Sequence, residues 1–287
     1  MSHTPPLLCA DAPALLYRAF FALPDSIKGA RGEPVNALLG STNALLQVVE
    51  ERGPRAVVVC FGQESAAYRV EAYPPYHAAR PAMPDDLRAQ FEAAPALYEA
   101  LGWSVLSHPD LEADDLLGAL AKSEEAAGGS ALILTGDRDM FQCASERVTI
   151  LLQRTGRSGP EALGPVEVEQ RYGIAPAAVP DFIALRGDPS DGLPGAKGIG
   201  EKTAADLLRR HGTLEKTLDA AVRETPAIRR ALIGQREELL MFKDVATLRE
   251  VSVERPADAP TDFAGGAAAA EAMGLRRLAE RLAKLAG

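Results

Sequence analysis

The sequence predicts an α/β fold, a mostly parallel sheet covered by helices, followed by an all-helical second half. Three observations carry this expectation. Five short runs rich in aliphatic and β-branched residues fall at Leu7 to Ala10, Arg55 to Phe61, Trp103 to Ser107, Ala131 to Thr135 and Val148 to Leu152. Between most of them the apolar positions recur at helical spacing, and alternating strands and helices imply parallel pairing. After about Gly164 no further convincing strand appears, and Pro165, Pro176 and Pro180 punctuate short helical stretches.

The elements follow in chain order. The first run, ending at Ala10, is succeeded by Asp11. Leu38, Leu39, Thr42, Leu45, Leu46 and Val49 recur three and four apart and predict a helix before the second run. Leu87, Phe91, Leu97 and Leu101 do so less regularly before the third. In the second half, helices are expected at Val166 to Tyr172, Pro180 to Arg186, Lys202 to His211, Gln235 to Leu248 and, rich in alanine, Ala267 to Leu285. The Pro-, Gly- and Asp-rich stretch Arg255 to Gly266 reads as a linker or a wrapped extended strand.

With 287 residues, 47% of them apolar, the chain has ample material for a core. Its apolar runs are strand-sized, shorter than the roughly 20 residues of a spanning helix, and Met1 to Leu8 lacks the pattern of a secretory signal. No membrane association and a cytoplasmic location are therefore expected. Cys9, Cys60 and Cys143 read as inert structural thiols, with a Cys9–Cys60 disulfide as the minor alternative. The net charge of -9 argues against wholesale basic wrapping of nucleic acid but leaves room for a local basic face.

In an open α/β sheet ligands collect beyond the carboxyl ends of the strands, and those places are acidic here. Asp11 follows the first run. Glu112, Asp114 and Asp115 come after the third and open a helix, Asp137 and Asp139 follow the fourth, and Asp188 and Asp191 lie in a later loop. Any one of these acids could be a turn or helix cap. Together they would repel one another unless cations neutralised them. Oxygen ligands without His or Cys select Mg²⁺ or Mn²⁺ over zinc, and two such ions suit phosphodiester cleavage.

The stretches Leu16 to Leu23, Gly32-Glu33-Pro34-Val35, Glu112-Ala113-Asp114-Asp115, Thr135-Gly136-Asp137-Arg138-Asp139 and Gly198 to Ala204 resemble the 5′-nuclease family. That family includes the 5′ to 3′ exonuclease domain of bacterial DNA polymerase I and the flap endonucleases. The match is colinear from about Leu7 to Val251. With no polymerase after Gly287, the chain resembles a stand-alone bacterial member or an isolated nuclease domain. The resemblance implies a PIN-like, Rossmann-like nuclease domain over 1–164, with a helical arch at about 63–95. It also implies a helix-three-turn-helix DNA-binding domain over 165–254, followed by a linker and helix over 255–287. Asp11, Glu112 and Asp114 would hold a first metal, with Asp114 and Asp115 close to both, and Asp137, Asp139, Asp188 and Asp191 a second.

The DNA side follows the same resemblance. Glycines let a backbone approach phosphate, and a following helix offers free N–H groups; Gly195 to Thr203 has both features. It is similar to a helix-hairpin-helix that grips the duplex backbone and often a K⁺ ion, with Gly195, Lys197, Gly198, Gly200, Lys202, Thr203, Arg209 and Arg210 as contacts. Gln63 to Pro84 interleaves Tyr68, Tyr73 and Tyr76 with Arg69 and Arg80, a pattern suited to single strands, although the tyrosines could equally be packing residues. Arg18 is implied as a phosphate clamp near the scissile bond, and His77 and Arg80 of the arch segment are the further catalytic candidates.

The sequence departs from the family at three places. Gly62 stands where an Asp is usual after the second run, His77 replaces a Lys, and Asp11-Ala12-Pro13 replaces Asp-Gly. Glu64 is a candidate to supply the carboxylate missing at Gly62. The expectation is a weakened first metal site that needs more metal or Mn²⁺. The leading reading is a monomeric structure-specific 5′-nuclease acting on flapped, nicked or gapped DNA or RNA-primed ends. The alternatives are a flap or junction DNA-binding protein with weak catalysis, and an RNA-cleaving PIN-like toxin.

Overall fold

The computed structural model describes residues 4–154 and 159–287; residues 1–3, part of the stretch inspected for a secretory signal, lie outside them. The first half runs β1 (Leu7–Asp11), α1 (Ala12–Ala22), α2 (Asn36–Arg52), β2 (Ala56–Cys60), α3 (Ala67–Ala72), α4 (Asp85–Ala100), β3 (Ser104–Leu106), α5 (Ala113–Ala126), β4 (Ala131–Thr135), β5 (Val148–Leu152) and β6 (Glu161–Leu163). The sheet order is β3-β2-β1-β4-β5-β6, parallel throughout except that β6 runs antiparallel to β5. The five expected strands are all present. The sixth went unread because three residues beginning with Glu161 carry no apolar run.

Successive side chains on a strand point to opposite faces, and this divides the core. Leu7, Cys9, Val58, Ile133 and Ile150 face one layer, while Leu8, Ala10, Val57, Val59, Leu134 and Leu151 face the other. Fully buried strands such as Ala-Val-Val-Val-Cys in β2 have no polar side because helices cover both faces. All three cysteines are free thiols, Cys9 and Cys60 buried and Cys143 half-buried.

The second half contains α6 (Pro165–Tyr172), α7 (Val179–Arg186), α8 (Glu201–His211), α9 (Leu214–Asp219), α10 (Pro226–Gly234), α11 (Arg236–Ala246), α12 (Phe263–Ala272) and α13 (Arg276–Ala286). Helices α9 and α10 are too short for a periodic signal to have marked them. The expected helix over Ala267 to Leu285 is two helices, broken at Gly274, whose φ of 80° is the left-handed geometry that favours glycine. The first of the two begins at Phe263, inside the stretch read as linker.

The two ends of this half serve opposite faces. Residues of α6 to α11 join the core layer beneath α5, whereas α12 and α13 pack with α1, α2 and α4 on the other side. The chain crosses between them in an extended segment after α11. Ala259 N donates to Arg55 O at 2.9 Å, Asp262 N to Leu101 O at 2.8 Å, and the Trp103 indole to Thr261 Oγ1 at 3.0 Å. Glu124, 0% exposed, accepts hydrogen bonds from both Arg55 and Arg255 and fastens this crossing to α5. Among the described residues no helix is long and apolar enough to cross a membrane.

Candidate functional site: an acidic cleft at the strand ends

The carboxyl ends of β1 and β4, the first turn of α5 and the loop after α7 converge on one cleft of about 1310 Å³. It is lined by Asp11, Glu112, Asp114, Asp137, Asp139, Asp188 and Asp191, with Arg18, Arg80 and Arg186 among them. Seven of the eight acids singled out in the sequence therefore share one cavity. No group of three or more His, Cys, Asp or Glu side chains among the described residues is arranged to hold a metal ion as it stands.

Backbone and neighbouring hydroxyls fix the floor. Asp11 caps α1, accepting from Ala14 N at 3.0 Å, and its second oxygen accepts the Thr135 hydroxyl at 2.6 Å. Thr135 Oγ1 in turn accepts from Asp137 N at 2.9 Å, and Asp137 Oδ1 from Asp139 N at 2.8 Å. One threonine at the end of β4 thus orients two acids, a role the sequence reading missed although Thr135 lies within a quoted motif. Arg186 was also missed; it pairs with Asp188 at 3.1 Å.

The electrostatics are those of charge without enough compensation. Burial raises the Asp11 carboxyl above its ordinary range. Asp114 is raised well above it, first by burial and then by repulsion from Asp11 and Asp137. Asp137 is pushed up to about 6, by burial and then by Asp191, Asp11 and Asp188 against the bond from Asp139 N. Asp139 is raised by burial and by Asp137, Asp191 and Asp188. Desolvation and like charge both disfavour the ionised form, and a cation would relieve both.

The remaining acids of the α5 turn are both held by Arg69 and by neighbouring hydrogen-bond donors. Asp115, expected among the metal ligands, is 0% exposed and lies behind the turn. Its oxygens accept from the Tyr68 hydroxyl at 3.0 and 3.1 Å, from Arg249 N at 2.9 Å and from Glu112 N at 3.2 Å, and pair with Arg69 at 3.2 Å. Its lone pairs are in use, which corrects that expectation. Glu112 lines the cleft yet is held from outside it, by Ala66 N at 2.7 Å, the Tyr76 hydroxyl at 3.0 Å and Arg69 at 2.8 Å.

The segment expected to be an arch, about 63–95, packs its key side chains inward. Arg69 is 3% exposed, bonded to Glu112, Asp115 and Val245 O, and Tyr76 and His77 are buried. Arg69 and Tyr76 are therefore packing residues here rather than a surface for single strands. Apolar burial and ion pairing compete for the same Tyr and Arg residues that DNA would use, so composition alone could not separate the two. His77 has left-handed backbone, φ 56°, and its ring stacks on Tyr76 at 3.7 Å. Its Nε2 lies 3.1 Å from Asp191 Oδ1 and its Nδ1 2.9 Å from Glu64 O, so neither nitrogen is free to hold a phosphate. Arg80 is exposed and reaches Asp191 at 3.0 Å, while Arg18 lines the cleft near Gln153 O at 3.4 Å. Glu64, the candidate to replace a carboxylate at Gly62, lines the cleft and accepts the Tyr17 hydroxyl at 3.1 Å.

The glycine turn ahead of α8 lies apart from the cleft lining. Gly195 and Gly198 have φ of 67° and 80°, and nothing lies near a β-carbon position on Gly198 or Gly200. The N-terminus of α8 at Gly200 has no side-chain cap, which leaves N–H groups open to an anion. Lys197 and Lys202 are exposed without an ion pair among the described residues, Thr203 is half-buried, Arg209 pairs weakly with Asp206 at 3.4 Å, and Arg210 is tied to Glu224 and Asp206.

Comparison with known proteins agrees with this arrangement. Residues 6–173 match the family model described as 5'-3' exonuclease, N-terminal resolvase-like domain, and residues 174–262 its C-terminal SAM fold. The chain is 40% identical over 216 residues to DNA polymerase I of Mycobacterium tuberculosis (strain ATCC 25618 / H37Rv), which covers 75% of this chain and 24% of the relative. It is 41% identical over 246 residues to the thermostable DNA polymerase I of Thermus filiformis, covering 85% and 28%. The chain thus spans about a quarter of the length of the curated relatives it matches. Its fold is similar to that of the T5 D15 protein co-crystallised with metal ions, at TM-score 0.73 and 15% identity over 98% of this chain and 100% of the other. It is also similar to the catalytic core of Rad2 in complex with DNA substrate, at 0.67 and 14% over 100% and 94%. The family model covers more than half of the sequence and carries the acid-bearing strand ends described above, so the chain belongs to the 5′-3′ exonuclease family.

Proposed function

We propose that the chain is a structure-specific 5′-nuclease that hydrolyses DNA phosphodiesters as a 5′ to 3′ exonuclease and a 5′-flap endonuclease, in flap or primer removal. The observation that carries this is the acidic cleft, in which half-buried carboxylates repel one another beside Arg18 at the wall and Arg80 at the rim. The all-oxygen donor set fits a hard divalent ion. Asp11, Glu112 and Asp114 would hold one Mg²⁺ or Mn²⁺, and Asp137, Asp139, Asp188 and Asp191 a second, after small side-chain movements. Bound there, the ions would supply an activated water and stabilise the leaving oxygen.

The chain's own residues do the rest. Thr135 keeps Asp11 and Asp137 in register, and Arg18 holds the phosphate that enters the cleft. Arg80 can leave Asp191 for a phosphate because its side chain is 47% exposed. Lys197, Lys202 and the open N–H groups around Gly198 and Gly200 grip the duplex backbone, where a K⁺ ion also belongs in this reading. Such contacts position DNA without reading its sequence. The PIN-like domain of 1–164 and the DNA-gripping unit of 165–254 are the working divisions of this proposal. A labelled 5′-flap duplex incubated with Mg²⁺ or Mn²⁺ tests it: release of the flap is expected. Tight flap binding without turnover would instead establish the binding-protein reading, which the missing carboxylate at Gly62 favours.

A further inference from the structure

Gly62 follows β2 at the place where the family usually carries an acid, and the structure shows what occupies the space. A β-carbon built on Gly62 would lie 2.5 Å from Ala113 N, 2.5 Å from Glu112 C and 2.7 Å from Leu111 O. All three are backbone atoms and cannot turn aside as a side chain could. Gln63 N donates to Leu111 O at 2.9 Å and ties the chain just past Gly62 to this segment, while Phe61 N donates to Leu106 O of β3 at 2.8 Å and fixes the strand end itself. The first turn of α5 has closed onto the end of β2.

We infer that Gly62 is a positioning residue: its lack of a side chain seats the Leu111–Ala113 backbone so that Glu112 and Asp114 are delivered to the cleft. The consequences follow from the backbone. With Ala113 seated against Gly62, Glu112 reaches its three donors, Ala66 N, the Tyr76 hydroxyl and Arg69, and Asp114 lines the cleft with Asp11 and Asp137. Any side chain at 62 pushes this turn outward and moves both acids. An aspartate there adds a carboxylate at the expense of two that were in place, so it does not repair the site. This inference rests on the proposed metal-dependent cleft and adds the residue that sets its geometry.

Mn²⁺ binding to the intact chain, followed by electron paramagnetic resonance, tests it for wild type, Gly62→Ala and Gly62→Asp, with melting temperature and 5′-flap cleavage recorded alongside. Groups that orient metal ligands typically matter by about 10- to 100-fold in affinity, and a loss of that size is expected in Gly62→Ala, with no recovery in Gly62→Asp. Tighter Mn²⁺ binding by Gly62→Asp than by wild type overturns the inference. So does a Gly62→Ala variant whose melting temperature falls while Mn²⁺ affinity stays at the wild-type level. If both variants fail to fold, Tyr76→Phe removes one donor to Glu112 and leaves the strand end untouched; reduced Mn²⁺ affinity supports the seating of Glu112, and unchanged affinity overturns it. A wild-type chain that binds Mn²⁺ but cuts no flap would defeat the nuclease reading while leaving these affinity ratios intact.

Discussion

The molecule buries acids in two places and treats them in opposite ways. At the crossing segment, Glu124 is fully buried between Arg55 and Arg255, and their hydrogen bonds and charges hold its carboxyl below the usual range against the cost of burial. In the cleft, Asp114, Asp137 and Asp139 are half-buried among other acids, and burial plus repulsion raises all three. The same functional group is a fastener where two guanidiniums meet it and a source of strain where neighbouring carboxylates and burial outweigh the cations nearby. Strain kept at a site that a cation could relieve is the mark of function, since it lowers the stability of the free protein.

The comparison can be broken at either end. Asp114→Asn should reduce flap cleavage by about a thousandfold or more, equal to about 4 kcal/mol of barrier, yet raise the melting temperature of the metal-free protein by a few degrees by removing repulsion. Cleavage assays and thermal melts check the pair, and a fall in melting temperature would contradict the account of strain. Glu124→Gln should do the reverse, costing about 2–3 kcal/mol in urea denaturation because buried Arg55 loses its buried carboxylate and keeps only the exposed Asp258 and Pro256 O, while cleavage well below the melting temperature is retained.

The pH dependence separates the two sites by sign. Glu124 has a depressed carboxyl, so its stabilisation is present above the ordinary value of 4.5 and is lost as the pH falls below it. Asp137, pushed up to about 6 from 3.8, binds its proton more tightly when folded; stability in chelator should therefore fall as the pH rises from about 4 to about 6. Glu124→Gln should lose the limb below pH 4.5, and Asp137→Asn should shrink the falling limb, to which Asp11, Asp114 and Asp139 also contribute. The smallest effect is expected at the glycine turn. Lys197→Ala or Lys202→Ala should weaken binding to all duplex sequences alike and reduce the slope of log affinity against log salt by about 1 each, leaving the cleavage step itself unchanged in single-turnover assays.

Much of this was legible in the residues. The strand runs announced themselves by length and aliphatic content, and the acids stood immediately beyond them, at Asp11, Asp137 and Asp139. The glycine tract before α8 was equally plain. What escaped had weak or ambiguous local signals: β6 has three residues, α9 has six, and Arg69, Tyr76 and His77 carry the same chemistry whether they face DNA or an interior carboxylate.

Sequence alone determined the sheet, the helical second half and the set of candidate acids, because these depend on periodicity and on strand ends, which are local. Tertiary structure decided which acids meet in the cleft and which turn away. Asp115 leaves the set because Tyr68, Arg69 and Arg249, distant in the chain, consume its lone pairs. Gly62 ceases to be a vacancy because the α5 turn fills its space. The crossing segment became part of the fold because Glu124 lies within reach of two arginines 200 residues apart in the chain. Long-range packing sets all three, and no window of sequence contains it.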